Sequence, residues 1–169
     1  MRIKITATSL AAAAFAALAT SGPALATPGS GFMPNPIVNG HFGKLNVNTA
    51  GNKTDKWGLI LKTLDETDMG VDRLVIQPGG VSGWHAHPGP VFVTVTQGSV
   101  TWHNGSDPLC TSHTYAAGES FIEPAYGVHN VANASMSAGA EYVAITIKPE
   151  GFVGPGFRLD RAEPNNCDF

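Results

Sequence analysis

Charge is scarce in this chain: Asp, Glu, Lys and Arg make up 14% of its 169 residues. The ten basic residues form no cluster, so neither nucleic acid nor an anionic membrane surface finds a complementary patch. After residue 26 no apolar run is long enough to cross a bilayer. No long stretch carries a convincing helical period, and no internal repeat is visible. Cysteine is limited to Cys110 and Cys167. Glycine and proline, by contrast, are plentiful, at twenty and twelve residues. That balance suits a turn-rich β fold better than a helical one.

The start of the chain, residues 1–26, reads as a signal peptide. Arg2 and Lys4 precede an apolar run from Leu10 to Ala19, and Ala24-Leu25-Ala26 supplies the small-x-small pattern before a cleavage site. Cleavage near Ala26 and secretion to the extracellular space are the expectation; the alternative is a buried N-terminal helix. Losing Arg2 and Lys4 leaves eight basic residues against thirteen acidic ones, a net charge near −5. About 143 residues then remain, the size of one ordinary domain. In an oxidising compartment an even pair of cysteines usually bonds, so a Cys110–Cys167 disulfide is expected, pinning the C-terminal tail.

Residues 27–56 are rich in Pro, Gly and Asn and read as an extended lead-in with one or two edge strands. Strand signals improve from Trp57 onward. Trp57–Leu61 is a short apolar run, and Asp72–Gln77 is a strand ended by Pro78-Gly79-Gly80. In Val91–Thr96, Val91, Val93 and Val95 share one face while Phe92, Thr94 and Thr96 share the other. Ser99–His103, Ser112–Tyr115, Ser120–Glu123, His129–Ala132 and Glu141–Lys148 complete the set, with Asn104-Gly105 as a hairpin signal. Many short strands at regular spacing imply an all-β, single-domain sandwich or barrel over residues 57–150. Residues 151–169 form a Gly/Pro-rich tail.

His85-Ala86-His87 carries the first chemical signal. On a strand, residues two apart face the same way, so both imidazoles can reach one point. Around this pair, five residues separate Gly79 from His85, three separate His87 from Val91, and six separate Val91 from Gly98. A second block runs Gly118, five residues, Pro124, then Tyr126, His129 and Asn133. The two blocks resemble the paired motifs of the cupin superfamily. Two anchors depart from them: Val91 stands where the family usually has a glutamate ligand, and Tyr126 where it has glycine. Within the superfamily, Gly83-Trp84-His85-Ala86-His87-Pro88-Gly89-Pro90 and Cys167 resemble a group of secreted one-domain members with no settled reaction.

The resemblance implies a jelly-roll, or double-stranded β-helix, barrel. It also implies one divalent transition metal ion (Fe, Mn, Zn, Ni or Cu) on His85, His87 and His129, with coordination positions open to water or substrate. Without the usual glutamate, three neutral imidazoles leave the centre dicationic. Glu123 is the candidate replacement. Alternation in Phe121-Ile122-Glu123 turns Glu123 inward if Phe121 is inward, as a fourth ligand or a general base; the alternative is a solvated, outward side chain. Trp84 and Tyr126, with Val91, either line the pocket mouth or pack in the core, and Asn133 supports a turn or the ligands. His41, His103 and His113 have weaker claims on a site. Two functions follow. One is a metal-dependent, dioxygenase-like oxidoreductase acting on a small organic molecule. The other is a non-catalytic extracellular module binding a small ligand or metal. A homodimer through edge strands, common in the superfamily, is left open.

Overall fold

The computed structural model describes residues 26–49, 57–154 and 157–167. The expected signal peptide therefore lies, apart from Ala26, outside the described residues. Twelve strands follow one another: β1 Ser30–Gly43, β2 Asn46–Asn48, β3 Ile60–Lys62, β4 Thr67–Val81, β5 His85–Ala86, β6 Val91–Gln97, β7 Ser99–Asn104, β8 Ser112–Ala116, β9 Ser120–Glu123, β10 His129–Ala132, β11 Ala140–Pro149 and β12 Leu159–Asp160. No α-helix occurs among the described residues. Ten strands form one sheet that folds over on itself as a jelly-roll barrel.

One wall runs β1-β4-β11-β6-β9 and the other β12-β5-β10-β7-β8, all antiparallel. β4 joins the two walls. It pairs with β11 from Thr67 to Ile76, then reaches β10 at Val81↔Ala132. Pro78-Gly79-Gly80 therefore does not end this strand, as the sequence implies, but turns it round a corner. Gly79 takes a φ of 66°, open to glycine at little cost, and its N–H donates to Ser135 O at 2.8 Å. Asn133 braces the same corner, its Nδ2 donating to Ala138 O at 2.8 Å and its Oδ1 accepting from Ser135 N at 3.0 Å.

The barrel wall also starts earlier than residue 57. β1 lies within the segment read as a lead-in, yet it pairs with β4 from Ser30↔Val81 to Gly43↔Thr67. Its side chains are mostly exposed and it holds Pro34 and Pro36, so it shows no inward alternation to read. Such prolines suit an edge strand, where an N–H can be dispensed with. Trp57–Leu61, read as a barrel strand, contributes only β3, which pairs with β2 in a separate two-stranded sheet. Trp57 is 70% exposed and Ile60 69%: an apolar run alone does not supply a face to bury it.

Elsewhere alternation sets the packing. Val91, Val93 and Val95 point into the core, where they meet Leu74, Ile76, Val100, Phe121, Val131 and Tyr142. Each such side chain contributes about 1.5–3 kcal/mol on burial. The expected disulfide is present between Cys110 and Cys167, with a Cα–Cα distance of 5.3 Å. It holds the tail beneath the β7–β8 loop. There Gly105 lies so close to Trp84 and Pro164 that an added Cβ would come within 2.8 Å of either ring.

Candidate metal centre

Three short segments deliver three imidazoles to one end of the barrel. β5 carries His85 and leads into His87, while β10 starts at His129, which is paired directly with His85. All three are buried, at 4%, 6% and 0% exposure. One ring nitrogen from each lies within 4.8 Å of the other two.

Their tautomers follow from their partners. His85 Nδ1 lies 2.8 Å from Gly83 O, His129 Nδ1 2.9 Å from Gly127 O, and His87 Nδ1 3.0 Å from Phe157 O. A carbonyl oxygen only accepts, so each Nδ1 carries the hydrogen and each neutral ring keeps a bare lone pair on Nε2. Two of the three carbonyls are local, two residues before their histidine. The third comes from the tail, so Phe157 fixes the orientation of His87.

Glu123 closes the set. Its residue is 3% exposed, with Oε2 3.3 Å from His87 Nε2 and Oε1 3.2 Å from His129 Nε2. His129 Nε2 is buried and makes no aligned hydrogen bond. A carboxylate oxygen facing an imidazole lone pair at this distance is repelled unless a cation, proton or metal, is shared between them. Burial pushes the His85 pKa well below the usual imidazole range, helped by His129, Arg158 and His87. At His129 burial works the same way, but Glu123 outweighs it and the pKa is raised. Burial disfavours charge on Glu123 too, yet His129 and His87 hold it well below the usual carboxylate range. The donor set thus fits a divalent transition metal: three nitrogen lone pairs and one anionic oxygen, each oriented by its surroundings.

A cavity of about 320 Å³ opens beside this group. His85, His87, Val91 and Glu123 form its floor, with Phe32, Leu74 and Ala144 as apolar wall and Asp72 and Arg158 as polar groups.

Residues 72–146 match the family described as the cupin domain. The chain carries a cupin domain. No curated protein matches it significantly. Solved structures similar to it include a cupin domain from Bordetella pertussis, 22% identical, with 63% of this chain and 94% of that one covered at a TM-score of 0.41. A Cupin 2 conserved barrel domain protein from Leptotrichia buccalis is 17% identical, covering 69% of this chain and 41% of its own at 0.46. A polyketide cyclase from Streptomyces resistomycificus is 12% identical, covering 53% and 65% at 0.41.

Both departures from the cupin motifs now have a structural account. Val91 pairs directly with Glu123 across β6 and β9. Directly paired residues project to the same face, so the carboxylate missing at 91 enters the site from the neighbouring strand. Tyr126 takes a φ of 59°, the region glycine enters freely, and donates its N–H to His87 O at 2.8 Å. At 63% exposure Tyr126 does not line the cavity, and neither does Trp84, which is 1% exposed and packs towards Gly105 under the disulfide-held loop. Trp84 is thus a core residue, and Tyr126 a turn residue whose backbone is what the site uses. His41 contacts Asp68 at 3.1 Å, and His113 is exposed on β8; neither joins the centre, nor does His103 on β7.

Three contributors carry no signal in the sequence. Ser82, fully buried, accepts from Val131 N at 2.9 Å and ties β10 to the segment before His85. Phe157 O and Arg158 arrive from the tail, where β12 pairs with β5 through Leu159↔Ala86 and Asp160↔His85. Arg158 Nη1 donates to Ser82 O at 2.7 Å.

Proposed function

We propose that this is a secreted metalloprotein that holds one divalent transition metal ion (Fe, Mn, Zn, Ni or Cu) through His85, His87 and His129, with Glu123 as fourth ligand. We further propose that it acts as a dioxygenase-like oxidoreductase on a small organic molecule. The observation that supports this reading is the facing of Glu123 carboxylate oxygens and imidazole Nε2 atoms, between which a divalent ion would be shared. Bound there, iron supplies oxygen chemistry, while zinc supplies polarisation and an activated water.

The chain's own residues set the conditions. Gly83, Gly127 and Phe157 carbonyls hold the three rings in one tautomer. Glu123 lowers the charge of the centre by one unit, which a valine at 91 cannot do. Phe32, Leu74, Val91 and Ala144 exclude water from one side of the cavity and offer a surface to a small apolar body. The Cys110–Cys167 disulfide and the signal-like start support export.

Oxygen uptake by protein loaded in turn with each metal, across phenols, thiols and diketones, tests the catalytic reading. Turnover that drops at least about tenfold in Glu123→Gln is the expected result. Silence with every metal, alongside tight reversible ligand binding, would make the barrel a non-catalytic binding module instead.

A further inference from the structure

Asp72 is the polar group in the cavity that the metal centre leaves unexplained. It sits on β4 between Gly70 and Leu74 in the inward-facing row that continues to Ile76, a place where an apolar side chain would serve the core. Its residue is 3% exposed, yet Oδ1 has no hydrogen-bond partner. Its neighbours across the sheet are Pro36 on one side and Ala144 on the other, and neither has a side-chain donor to offer. A buried carboxyl oxygen left unsatisfied is costly, so its retention beside the histidines calls for a partner that enters from outside.

We propose that Asp72 is the specificity-determining acceptor of this cavity, taking a hydrogen bond from a neutral hydroxyl of the ligand. The ligand class is then a small, largely apolar alcohol or phenol. Its body lies against Phe32, Leu74 and Ala144, and its hydroxyl points to the β4 side of the cavity. A cationic amine would satisfy the same oxygen, but a metal on the histidines opposes a positive ligand, while the Arg158 guanidinium on the cavity wall is already paired with Asp160 at 2.7 Å. The inference rests on the cavity being the ligand's place beside the ion, and it extends that reading by naming what the ligand must carry.

Calorimetry on the full-length, zinc-loaded protein tests it with a matched pair, 4-methylphenol and toluene, with benzylamine as the cationic probe. Wild-type protein is expected to bind 4-methylphenol about tenfold or more tighter than toluene, and tighter than benzylamine. In Asp72→Leu that ratio collapses towards one while the zinc content stays unchanged. Independently of any metal, Asp72→Leu is expected to raise the melting temperature of the ligand-free protein by about 3 °C, because an unsatisfied buried group is removed, whereas Asp72→Asn, which keeps the oxygen and adds N–H donors, gives no such gain. Equal binding of the pair to wild type, including no binding of either, overturns the proposal. So do discrimination retained in Asp72→Leu, preference for benzylamine, or a lower melting temperature in Asp72→Leu. Zinc below stoichiometry in wild type would fail the metal reading instead and leave the melting test of Asp72 standing.

Discussion

Replacing both cysteines by serine, in the double variant Cys110→Ser/Cys167→Ser, separates the tail from the barrel at one covalent point. The bridge spans 57 residues of sequence. In the chain-entropy account, a loop of that length restricts the unfolded ensemble enough to stabilise the fold by about 4 kcal/mol. For a domain of this size that corresponds to a fall in melting temperature of roughly 10–20 °C. The effect extends beyond stability, because the bridge anchors the segment that carries Phe157 and Arg158. The Phe157 carbonyl orients His87, and Arg158 ties the tail to Ser82. Loosening this outer support is expected to weaken metal affinity about 10- to 100-fold. Urea melts of wild type and double variant, followed by competition with a metal-sensitive chelator dye, measure both effects. A stability change under about 1 kcal/mol would refute the loop-closure reasoning. Unchanged metal affinity in a clearly destabilised variant would show that the tail does not position His87.

Two further outcomes are expected. Tyr126→Gly should stabilise the protein by about 0.5–1 kcal/mol in urea melts, since glycine relieves the left-handed backbone and keeps the N–H that His87 O accepts. Tyr126→Ala, which keeps the strain, should give no such gain. Asp68 has its pKa lowered to about 2, by hydrogen bonds from His41 first, then from Lys148 and the Gly151 N–H. A depressed carboxylate contributes stability that is present above its unfolded value near 3.8 and fades as pH falls through about 2. Asp68→Asn should therefore be less stable than wild type at pH 6, and the gap should close near pH 2; a gap independent of pH would contradict this.

Much of the barrel was legible because its inner strands alternate. The valines of β6 and the inward Tyr142, Ala144 and Thr146 of β11 bury one face each, and a period of two is visible in sequence. β1 was expected only as an edge strand of the lead-in, without bounds or a partner, because an exposed strand with two prolines buries too little to impose that period. The site divides in the same way. His85 and His87 are two apart on one segment, so their convergence is local geometry, and His129 came from motif spacing. Glu123 was a candidate by alternation, but which strand it faces depends on the Val91↔Glu123 register. Phe157 reaches His87, and Arg158 and Asp72 reach the cavity, through long-range pairing, which leaves no mark on local sequence. Trp84, for which both pocket and core were open from the sequence, stands next to a ligand in the chain yet is buried in the core.

The central claim, that these imidazoles and Glu123 share a cation, is tested most directly by elemental analysis. Wild-type protein, His129→Ala and Glu123→Gln would each be dialysed against a divalent transition metal and then against buffer alone. The account predicts about one equivalent in wild type, near none in His129→Ala and a reduced amount in Glu123→Gln. Less than about a tenth of an equivalent in wild type with every metal tried would contradict it.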